Sequence, residues 1–140
     1  MRPWTGVSGP SALRSSESTD NRKVSRAAEP ACLFCRIARK EIQAKIVFED
    51  ERVLAFHDVA PKAPTHVLVI PKTHLPRLSE AGDGDAALLG ACLVALTGVA
   101  RALSLGSYRV VVNDGAEAGQ SVFHLHLHLL GGRAFAWPPG

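Results

Sequence analysis

Short apolar runs separated by polar turns follow one another along residues 31–140, and the period of each run predicts its secondary structure. Strict alternation of apolar and polar residues is typical of a strand with one buried face. A continuous apolar run of similar length is typical of a strand buried on both faces. Runs of these two kinds, bounded by turn residues, predict five strands at 45–50, 52–58, 66–72, 108–114 and 122–130.

Two other segments have a helical period. Residues 32–40 place three apolar side chains at the spacing of a short helix, and residues 86–105 form one long apolar helix. Glycine has a low helix propensity, so its presence inside the long helix needs a reason. Gly90 and Gly98 therefore predict points where the helix packs closely against the sheet. The predicted fold class is α+β: a five-stranded antiparallel sheet with one long and one short helix.

The last predicted strand carries half of the six histidines of the chain. Alternate residues of a strand share a face, so its leucines are predicted to enter the core and its histidines to share the opposite face. These histidines are His124, His126 and His128, with successive side chains about 6–7 Å apart. A face that is only solvated usually carries Thr, Lys, Glu or Ser. The row of histidines therefore indicates a catalytic or ligand-binding site.

Size and charge restrict the classes of protein to consider. The 140 residues suffice for one domain with a real core, and 46% hydrophobic and 21% charged residues are ordinary values for a globular protein. The net charge of +3 falls to +1 for residues 31–140, which argues against a protein that coats nucleic acid. No apolar run reaches about 18 residues, which predicts no membrane span. Three cysteines suit a reducing compartment better than a disulfide scaffold.

Residues 1–30 differ in composition from the rest of the chain. They are rich in Ser, Gly, Pro and Arg, which predicts either a disordered tail or a mitochondrial targeting segment. Glu17, Asp20 and Glu29 make the stretch more acidic than such targeting segments usually are. The folded domain is predicted to span residues 31–140. Both a mitochondrial and a cytoplasmic or nuclear location stay open.

Three kinds of chemistry suit a row of histidines: metal binding, general acid–base catalysis and nucleophilic catalysis. The surroundings favour a nucleophile. Gly119, Gln120 and Ser121 precede the row and offer backbone N–H groups that can hold an anion such as a phosphate. Asn113, on the neighbouring predicted strand, would reach the same anion. No carboxylate lies beside the row to orient metal-bound imidazoles, which disfavours a metal there.

The segment "HLHLHLL" resembles the His-x-His-x-His-x-x motif, with x apolar, of the histidine triad (HIT) superfamily. Further stretches resemble its Hint branch, the histidine triad nucleotide-binding proteins: "FEDERVLAFHDVAPKAPTHVLVIPK", "YRVVVNDG", "GQSVFHLHLHLLGGR" and "WPPG". The resemblance runs from residue 32 to residue 140. "LPRLS", after His74, and "NDG" look most like the mitochondrial member of that branch.

The resemblance implies a homodimeric purine nucleotide phosphoramidase, which cleaves the P–N bond of adenosine 5′-phosphoramidates such as AMP-lysine. It implies that His126 is the nucleophile that forms a covalent nucleotidyl intermediate and that His128 binds the α-phosphate. His124 and His66 would orient and tune the nucleophile. Ser121 would pass a proton to the leaving amine.

The same resemblance implies the residues of the nucleotide pocket. Asp58 would hold the ribose hydroxyls, with Val59 beside it. An apolar slot for the base would be formed by Phe34, Ile37, Ile42 and Phe56. Ile37 and Ile42 suit an ordinary core equally well. The phosphate would be lined by Asn113, Gly119, Gln120, Ser121 and Val122. Trp137, near the end of the chain, would approach the active site of the second subunit.

Cys32 and Cys35 form a Cys-x-x-Cys pair that the best-known Hint proteins lack. In other HIT relatives such a pair binds zinc with a histidine after Pro-Lys and the first triad histidine, which here are His74 and His124. Two cysteines and two histidines are a sound donor set for structural zinc. The alternative is that both cysteines are small buried hydrophobic residues at a helix start. Cys92 is predicted to be core packing, and the reaction is expected to require no cofactor.

Two other functions stay open. A non-catalytic nucleotide-binding or scaffold protein would be expected to lose His126 or the Gly-Gln-Ser turn, and the chain has both. A dinucleoside polyphosphate hydrolase would resemble another HIT branch, and Ser121 and the terminal Trp-Pro-Pro-Gly argue against it. Neither a membrane nor a nucleic acid is expected as a direct partner.

Overall fold

The computed structural model describes residues 29–140. Residues 1–28, and with them nearly all of the predicted tail or targeting segment, lie outside the described residues. The elements of the described part are, in chain order, helix α1 (Leu33–Ala38), strands β1 (Ile46–Glu49), β2 (Val53–His57) and β3 (Thr65–Pro71), helix α2 (Ala86–Ala102), and strands β4 (Tyr108–Val111) and β5 (Leu127–Gly131).

These strands form one antiparallel sheet in the order β1-β2-β3-β5-β4. The predicted α+β class, with a five-stranded sheet, one long helix and one short helix, is confirmed. β5 is the last strand in sequence, but it lies between β3 and β4, so its backbone is paired on both sides. The end of the histidine row is therefore held in the interior of the sheet, away from its edges.

Alternation along the strands separates two apolar clusters on opposite faces of the sheet. The cluster under α2 includes the leucines of the histidine row and the buried face of the helix: Leu125, Leu127, Leu129, Cys92, Leu96 and Val99. The cluster under α1 consists of Phe34, Ile37, Leu54, Phe56, Leu68 and Ile70. The predicted core positions of the three leucines and of Cys92 are confirmed. Each fully buried leucine contributes about 1.5–3 kcal/mol through burial of apolar surface.

The long helix α2 has one face on the sheet and one face toward solvent, where Val94 is 69% exposed. The prediction that Gly90 and Gly98 mark close packing is wrong, because a Cβ at either position would meet no atom within 4 Å. By length and composition alone, the helical stretch Asp83–Ala102, in which an 18-residue window has a mean hydropathy of 1.5, could cross a membrane. Core helices of soluble proteins meet the same criterion.

The fifth strand begins later than the predicted range 122–130. Its ladder with β3 begins at Leu127, which pairs with Val69. If the same register continued two residues before Leu127, Leu125 would lie opposite Pro71. Proline has no N–H to donate, so the ladder cannot continue there.

The residues before the ladder follow a different path. The N–H of Leu125 donates to the carbonyl of Leu75 at 2.7 Å. His124 and His126 consequently lie on an irregular segment that precedes the strand, with His124 in a bend, whereas His128 lies within the strand. The three histidines therefore have three different environments.

Candidate active site

His126 is a buried imidazole with one ring nitrogen already bonded. Its Nδ1 lies 2.8 Å from the backbone carbonyl oxygen of His124. A carbonyl oxygen only accepts hydrogen bonds, so Nδ1 carries the proton and Nε2 has a free lone pair. Burial lowers the pKa of His126 below its usual value. At neutral pH it is therefore an uncharged imidazole whose Nε2 can act as a nucleophile.

His128 has the opposite tautomer because of two hydrogen bonds in series. The backbone N–H of Lys62 donates to Nδ1 of His66 at 3.0 Å, so a neutral His66 carries its proton on Nε2. That Nε2 donates to Nδ1 of His128 at 2.9 Å, so His128 carries its proton on its own Nε2. Burial, followed by the nearby His126 and His66, lowers the pKa of His128 to about 4. His128 is thus a neutral hydrogen-bond donor at neutral pH.

The Nε2 of His128 is buried and has no hydrogen-bond partner among residues 29–140. A buried donor without a partner costs about 1–3 kcal/mol, and such groups in folded proteins call for a specific explanation. The rings of His126 and His128 are close, with centroids 4.9 Å apart. Together they offer a nucleophile and a hydrogen-bond donor to one incoming group.

The imidazoles of His124 and His66 have partners other than His126. His66 contacts His128, as described above. His124 is 0% exposed, and its Nε2 donates to the carbonyl of Pro71 at 2.8 Å. The sequence assigns both residues to orienting the nucleophile. In the structure His124 contacts His126 through its backbone carbonyl, and the side chain of His66 acts on His128.

A cavity of about 320 Å³ is lined by His126 and His128 and has an apolar wall. The wall contains the four residues that the sequence assigns to the base: Phe34, Ile37, Ile42 and Phe56. Phe34 packs edge-on against Phe56 and His126, with ring centroids 5.5 Å and 5.1 Å apart. Asp58 also lines this cavity, which we call the slot. Its size and aromatic wall suit a planar base.

Other residues of the slot lie outside the predicted set: Leu33, Gln43, Ala44, His57 and Leu68. The strand register explains Leu68, which pairs with Phe56 across β2 and β3, so the two side chains share a face. The alternation of apolar residues along β2 and β3 would therefore identify Leu68 as a slot residue, but only once the pairing of the two strands is known. Val59, which the resemblance places beside Asp58 at the ribose, lines the slot and is 99% exposed.

A second cavity, of about 440 Å³, joins the slot and has a more polar lining. It is lined by Asn113, Gly119, Ser121, Lys62, His66, Asp58 and His128, together with Ala60, Val111 and Leu130. Asp58, Ser121 and His128 line both cavities. The unpartnered N–H of His128 therefore belongs to the junction between an apolar slot and a polar cavity. We call the second cavity the phosphate cavity.

Gln120 braces the loop beside the phosphate cavity. It is buried, and its amide oxygen accepts the N–H of Gly115 at 2.8 Å. Its amide nitrogen donates to the carbonyls of Pro76 and Val122. The sequence expects Gln120 to line the phosphate. The structure turns this side chain inward, where it bonds to two backbone groups of the loop that presents Ser121 and to the carbonyl of Pro76 in another segment.

Cys32, Cys35, His74 and His124 form a cluster outside the lining of the slot, with ligand atoms within 4.8 Å of one another. Nδ1 of His124 lies 3.4 Å and 3.6 Å from the two sulfurs. Nδ1 of His74 lies 3.3 Å from Sγ of Cys35 and 3.2 Å from Nδ1 of His124. Because Nε2 of His124 donates to Pro71, its Nδ1 presents a lone pair to the cluster.

These separations match the edges of a zinc tetrahedron. With Zn–N distances of about 2.0–2.1 Å and Zn–S distances of about 2.3 Å, two nitrogen ligands lie about 3.3 Å apart and a nitrogen and a sulfur about 3.5 Å apart. Two thiols and two imidazoles, most of them buried, are a donor set of structural zinc sites. The residues therefore fit the metal that the Cys-x-x-Cys pair predicts.

Comparison with known proteins identifies the family of this chain. The family model described as HIT domain matches residues 39–135. An uncharacterized HIT-like protein of Synechocystis sp. is 58% identical over 109 residues, covering 77% of this chain and 96% of that protein. A similarly named protein of Synechococcus elongatus is 52% identical over the same shares. Neither name specifies a branch, so the Hint branch and its mitochondrial member stay predictions.

Solved structures have the same fold. A HIT family hydrolase from Legionella pneumophila has a TM-score of 0.75 and 50% identity, covering 78% of this chain and 99% of that one. A HIT family hydrolase from Clostridium thermocellum has a TM-score of 0.76 and 43% identity, covering 77% and 96%. On sequence and on fold alike, this chain belongs to the HIT family.

Proposed function

We propose that this HIT protein is a purine nucleotide phosphoramidase of the Hint type, which hydrolyses the P–N bond of adenosine 5′-phosphoramidates such as AMP-lysine. The observation that carries the proposal is the bare Nε2 of His126 beside the N–H of His128, which has no partner among the described residues. Both groups line a slot with an aromatic wall. The Legionella and Clostridium proteins are named hydrolases, which supports the class of reaction.

The reaction has two displacements at phosphorus. In the first, Nε2 of His126 bonds to the α-phosphorus and the P–N bond breaks, with its electron pair leaving on the amine nitrogen. The amine takes a proton from solvent through the hydroxyl of Ser121, which is exposed and lines both cavities. In the second, water bonds to phosphorus, the P–Nε2 bond breaks, AMP is released and the proton of the water returns to solvent.

Two hydrogen bonds prepare the first displacement. The ring of His126 gains positive charge when Nε2 bonds to phosphorus, and the carbonyl of His124 stabilises this charge through Nδ1–H. Negative charge grows on the phosphoryl oxygens, to which the N–H of His128 donates. Both groups have these orientations before substrate binds, so the reaction requires little rearrangement.

The slot and the phosphate cavity divide the nucleotide between them. The base lies in the slot against Phe34 and Phe56, whose faces and edges favour a planar ring. One carboxylate oxygen of Asp58 accepts the N–H of Ala60 at 2.8 Å, and the other, which lies 3.5 Å from Nε2 of His66, accepts the ribose hydroxyls. The α-phosphate lies at the junction, near Ser121.

Two features support P–N cleavage over polyphosphate cleavage, namely Ser121 and the terminal Trp-Pro-Pro-Gly, both of which resemble the Hint branch.

The same resemblance supports a homodimer. Its interface would cover the apolar outer face of α2 and the edge strand β4, where Val94 and Val110 are exposed.

The test is hydrolysis of AMP-lysine and of diadenosine polyphosphates by the purified protein and by its His126→Asn variant. The wild type is expected to prefer AMP-lysine. The variant is expected to bind AMP without turnover, because only the attacking nitrogen is lost. Preference for diadenosine polyphosphates would make the protein a polyphosphate hydrolase. AMP binding without turnover of either substrate by the wild type would make it a binding protein.

We also propose that Cys32, Cys35, His74 and His124 hold a zinc ion. The match of their separations to a zinc tetrahedron supports this site. When bound, the ion would supply a structural cross-link. Protein purified without chelator or histidine tag is expected to contain close to one zinc per chain. Less than about a tenth of an equivalent, with no uptake of added zinc, would remove the site.

A further inference from the structure

His124 belongs to two sites at once. Its imidazole lies in the cluster with Cys32, Cys35 and His74, and its backbone carbonyl accepts the hydrogen bond that sets the tautomer of His126. Both nitrogens of the imidazole are engaged, Nδ1 in the cluster and Nε2 at a backbone carbonyl. The buried ring therefore cannot shift freely without moving its backbone, which carries the carbonyl that holds the nucleophile.

A second path leads from the cluster to the slot through α1. Phe34 stands in sequence between the two clustered cysteines, and its ring centroid lies 5.9 Å from that of His124 and 5.1 Å from that of His126. Phe34 and Ile37, both on α1, form part of the apolar wall of the slot. One wall of the slot is thus carried by a helix whose first turn lies in the cluster.

Helix α1 is too short to hold this position by itself. It has six residues, and isolated helices shorter than about 12–15 residues are marginal in water. Sγ of Cys32 caps its N-terminus by accepting the N–H of Cys35 at 3.4 Å. The cap of the helix and its attachment to the body of the protein therefore use the same two cysteines.

We propose that a metal ion held by Cys32, Cys35, His74 and His124 positions the nucleotide site, acting on the nucleophile through the carbonyl of His124 and on the slot through Phe34. The four ligands are then positioning residues, because they act on the reaction through His126 and Phe34. The inference rests on the proposed function for its ligand, AMP, whereas the tautomer of His126 can be measured without any ligand.

The first experiment compares full-length protein stripped of metal by a chelator under reducing conditions with the same protein reloaded with one equivalent of zinc. Calorimetry measures the Kd for AMP, and proton–nitrogen NMR of the imidazoles measures the protonation of Nδ1 of His126. The loaded form is expected to bind AMP about 10- to 100-fold more tightly, the scale on which residues one step removed from a metal centre act. It is also expected to show a slowly exchanging Nδ1–H, which the stripped form loses. Equal Kd values and equal spectra overturn the inference.

A variant keeps the test decisive if the stripped protein unfolds. His74 contacts the cluster and is not among the described residues that line the slot or the phosphate cavity. His74→Asn leaves three ligands, so its AMP affinity is expected to need more free zinc than that of the wild type and to recover when zinc saturates. AMP affinity independent of zinc in this variant overturns the inference. Cys92→Ala removes a buried cysteine outside the cluster and is expected to follow the wild-type zinc dependence.

The outcomes separate this inference from the phosphoramidase proposal. If AMP affinity depends on zinc but AMP-lysine is not cleaved, the proposed activity fails and the coupling stands. If AMP-lysine is cleaved equally well by the stripped and loaded forms, with the same Kd for AMP, the coupling fails and the activity stands. If the loaded protein does not bind AMP, the Nδ1–H signal of His126 decides the coupling alone.

Discussion

Nε2 of His66 donates a hydrogen bond to Nδ1 of His128 across 2.9 Å, and this bond determines what His128 can offer a substrate. A ring nitrogen that accepts a hydrogen bond cannot also carry the proton of a neutral imidazole, so the N–H of His128 is at Nε2. His66 is itself fixed by the backbone N–H of Lys62. The donor at the junction of the two cavities thus depends on a residue 62 positions earlier in the chain.

Replacing His66 with leucine removes the donor to Nδ1 of His128, and a neutral His128 can then carry its proton on either nitrogen. We expect kcat for AMP-lysine to fall by about 10²- to 10³-fold, the scale for loss of one donor to developing oxyanion charge, with a smaller change in KM. His66→Gln offers an amide N–H and is expected to recover part of the loss. Steady-state kinetics measures both variants. An equal loss of kcat in the leucine and glutamine variants would show that the hydrogen bond from residue 66 to His128 does not account for the effect.

Acid is expected to destabilise the fold before the carboxylates titrate. Burial lowers the pKa of His66 and of His128, the latter to about 4, whereas both titrate near about 6.5 in an unfolded chain. Between these values the unfolded chain binds more protons. The free energy of unfolding is therefore retained above about pH 6.5 and decreases as the pH falls toward about 4. Urea denaturation across this range measures the slope, which His128→Asn should make shallower. An unchanged slope in the variant would contradict this prediction.

Gln120→Ala is expected to destabilise the fold by about 1–3 kcal/mol, because the buried N–H of Gly115 loses its acceptor. AMP binding should weaken as well, since the loop that presents Ser121 loses its brace. Urea denaturation and calorimetry measure the two effects. Glu117→Ala, exposed on the same loop, is the control and should change neither. A destabilised variant with wild-type AMP affinity would mean that the brace does not position the phosphate cavity.

Asp114 fastens the same loop from outside, accepting hydrogen bonds from the Arg77 guanidinium and from the N–H of Ser79. The Arg77 hydrogen bond, followed by that of Ser79, holds the pKa of Asp114 at about 2, so the contribution to stability is present above about pH 4 and is lost as the pH falls through about 2. Asp114→Asn is expected to weaken AMP binding at neutral pH. Glu41→Gln, which breaks an exposed ion pair elsewhere, should not. Calorimetry with equal AMP affinities in both variants would contradict a positioning role for Asp114.

Sedimentation at micromolar concentration is expected to give about twice the chain mass of 14.9 kDa. Val94 is 69% exposed on α2, so an interface there would bury it, and Val94→Asp should shift the protein toward monomer. Thr73→Asp, exposed and on neither α2 nor β4, is the matched control and should leave the mass unchanged. A wild-type protein that sediments as a monomer would remove the proposed role of Trp137 at a second active site.

The sequence by itself determined the kinds and order of the strands and main helices, and which side of the histidine row enters the core. Alternation of leucine and histidine sufficed to place Leu125, Leu127 and Leu129 in the core, because burial of apolar side chains is the main driving force of folding and follows the period of the strand. The family resemblance named Phe34 and Phe56 as residues of one apolar slot, and in the structure their rings are in contact. These features depend on local pattern or on motifs with fixed spacing.

Only the tertiary structure decided which partner each polar side chain has. His124 leaves the row because Pro71, 53 positions away, cannot continue the ladder, and its imidazole then joins cysteines that lie about 90 residues earlier. Gln120 turns inward because its amide bonds to two backbone groups of its own loop and to the carbonyl of Pro76, 44 positions earlier. Hydrogen-bond partners depend on strand register and on loop paths. Neither is encoded in the alternation of apolar and polar residues, because that pattern records which side chains are buried and not what they meet.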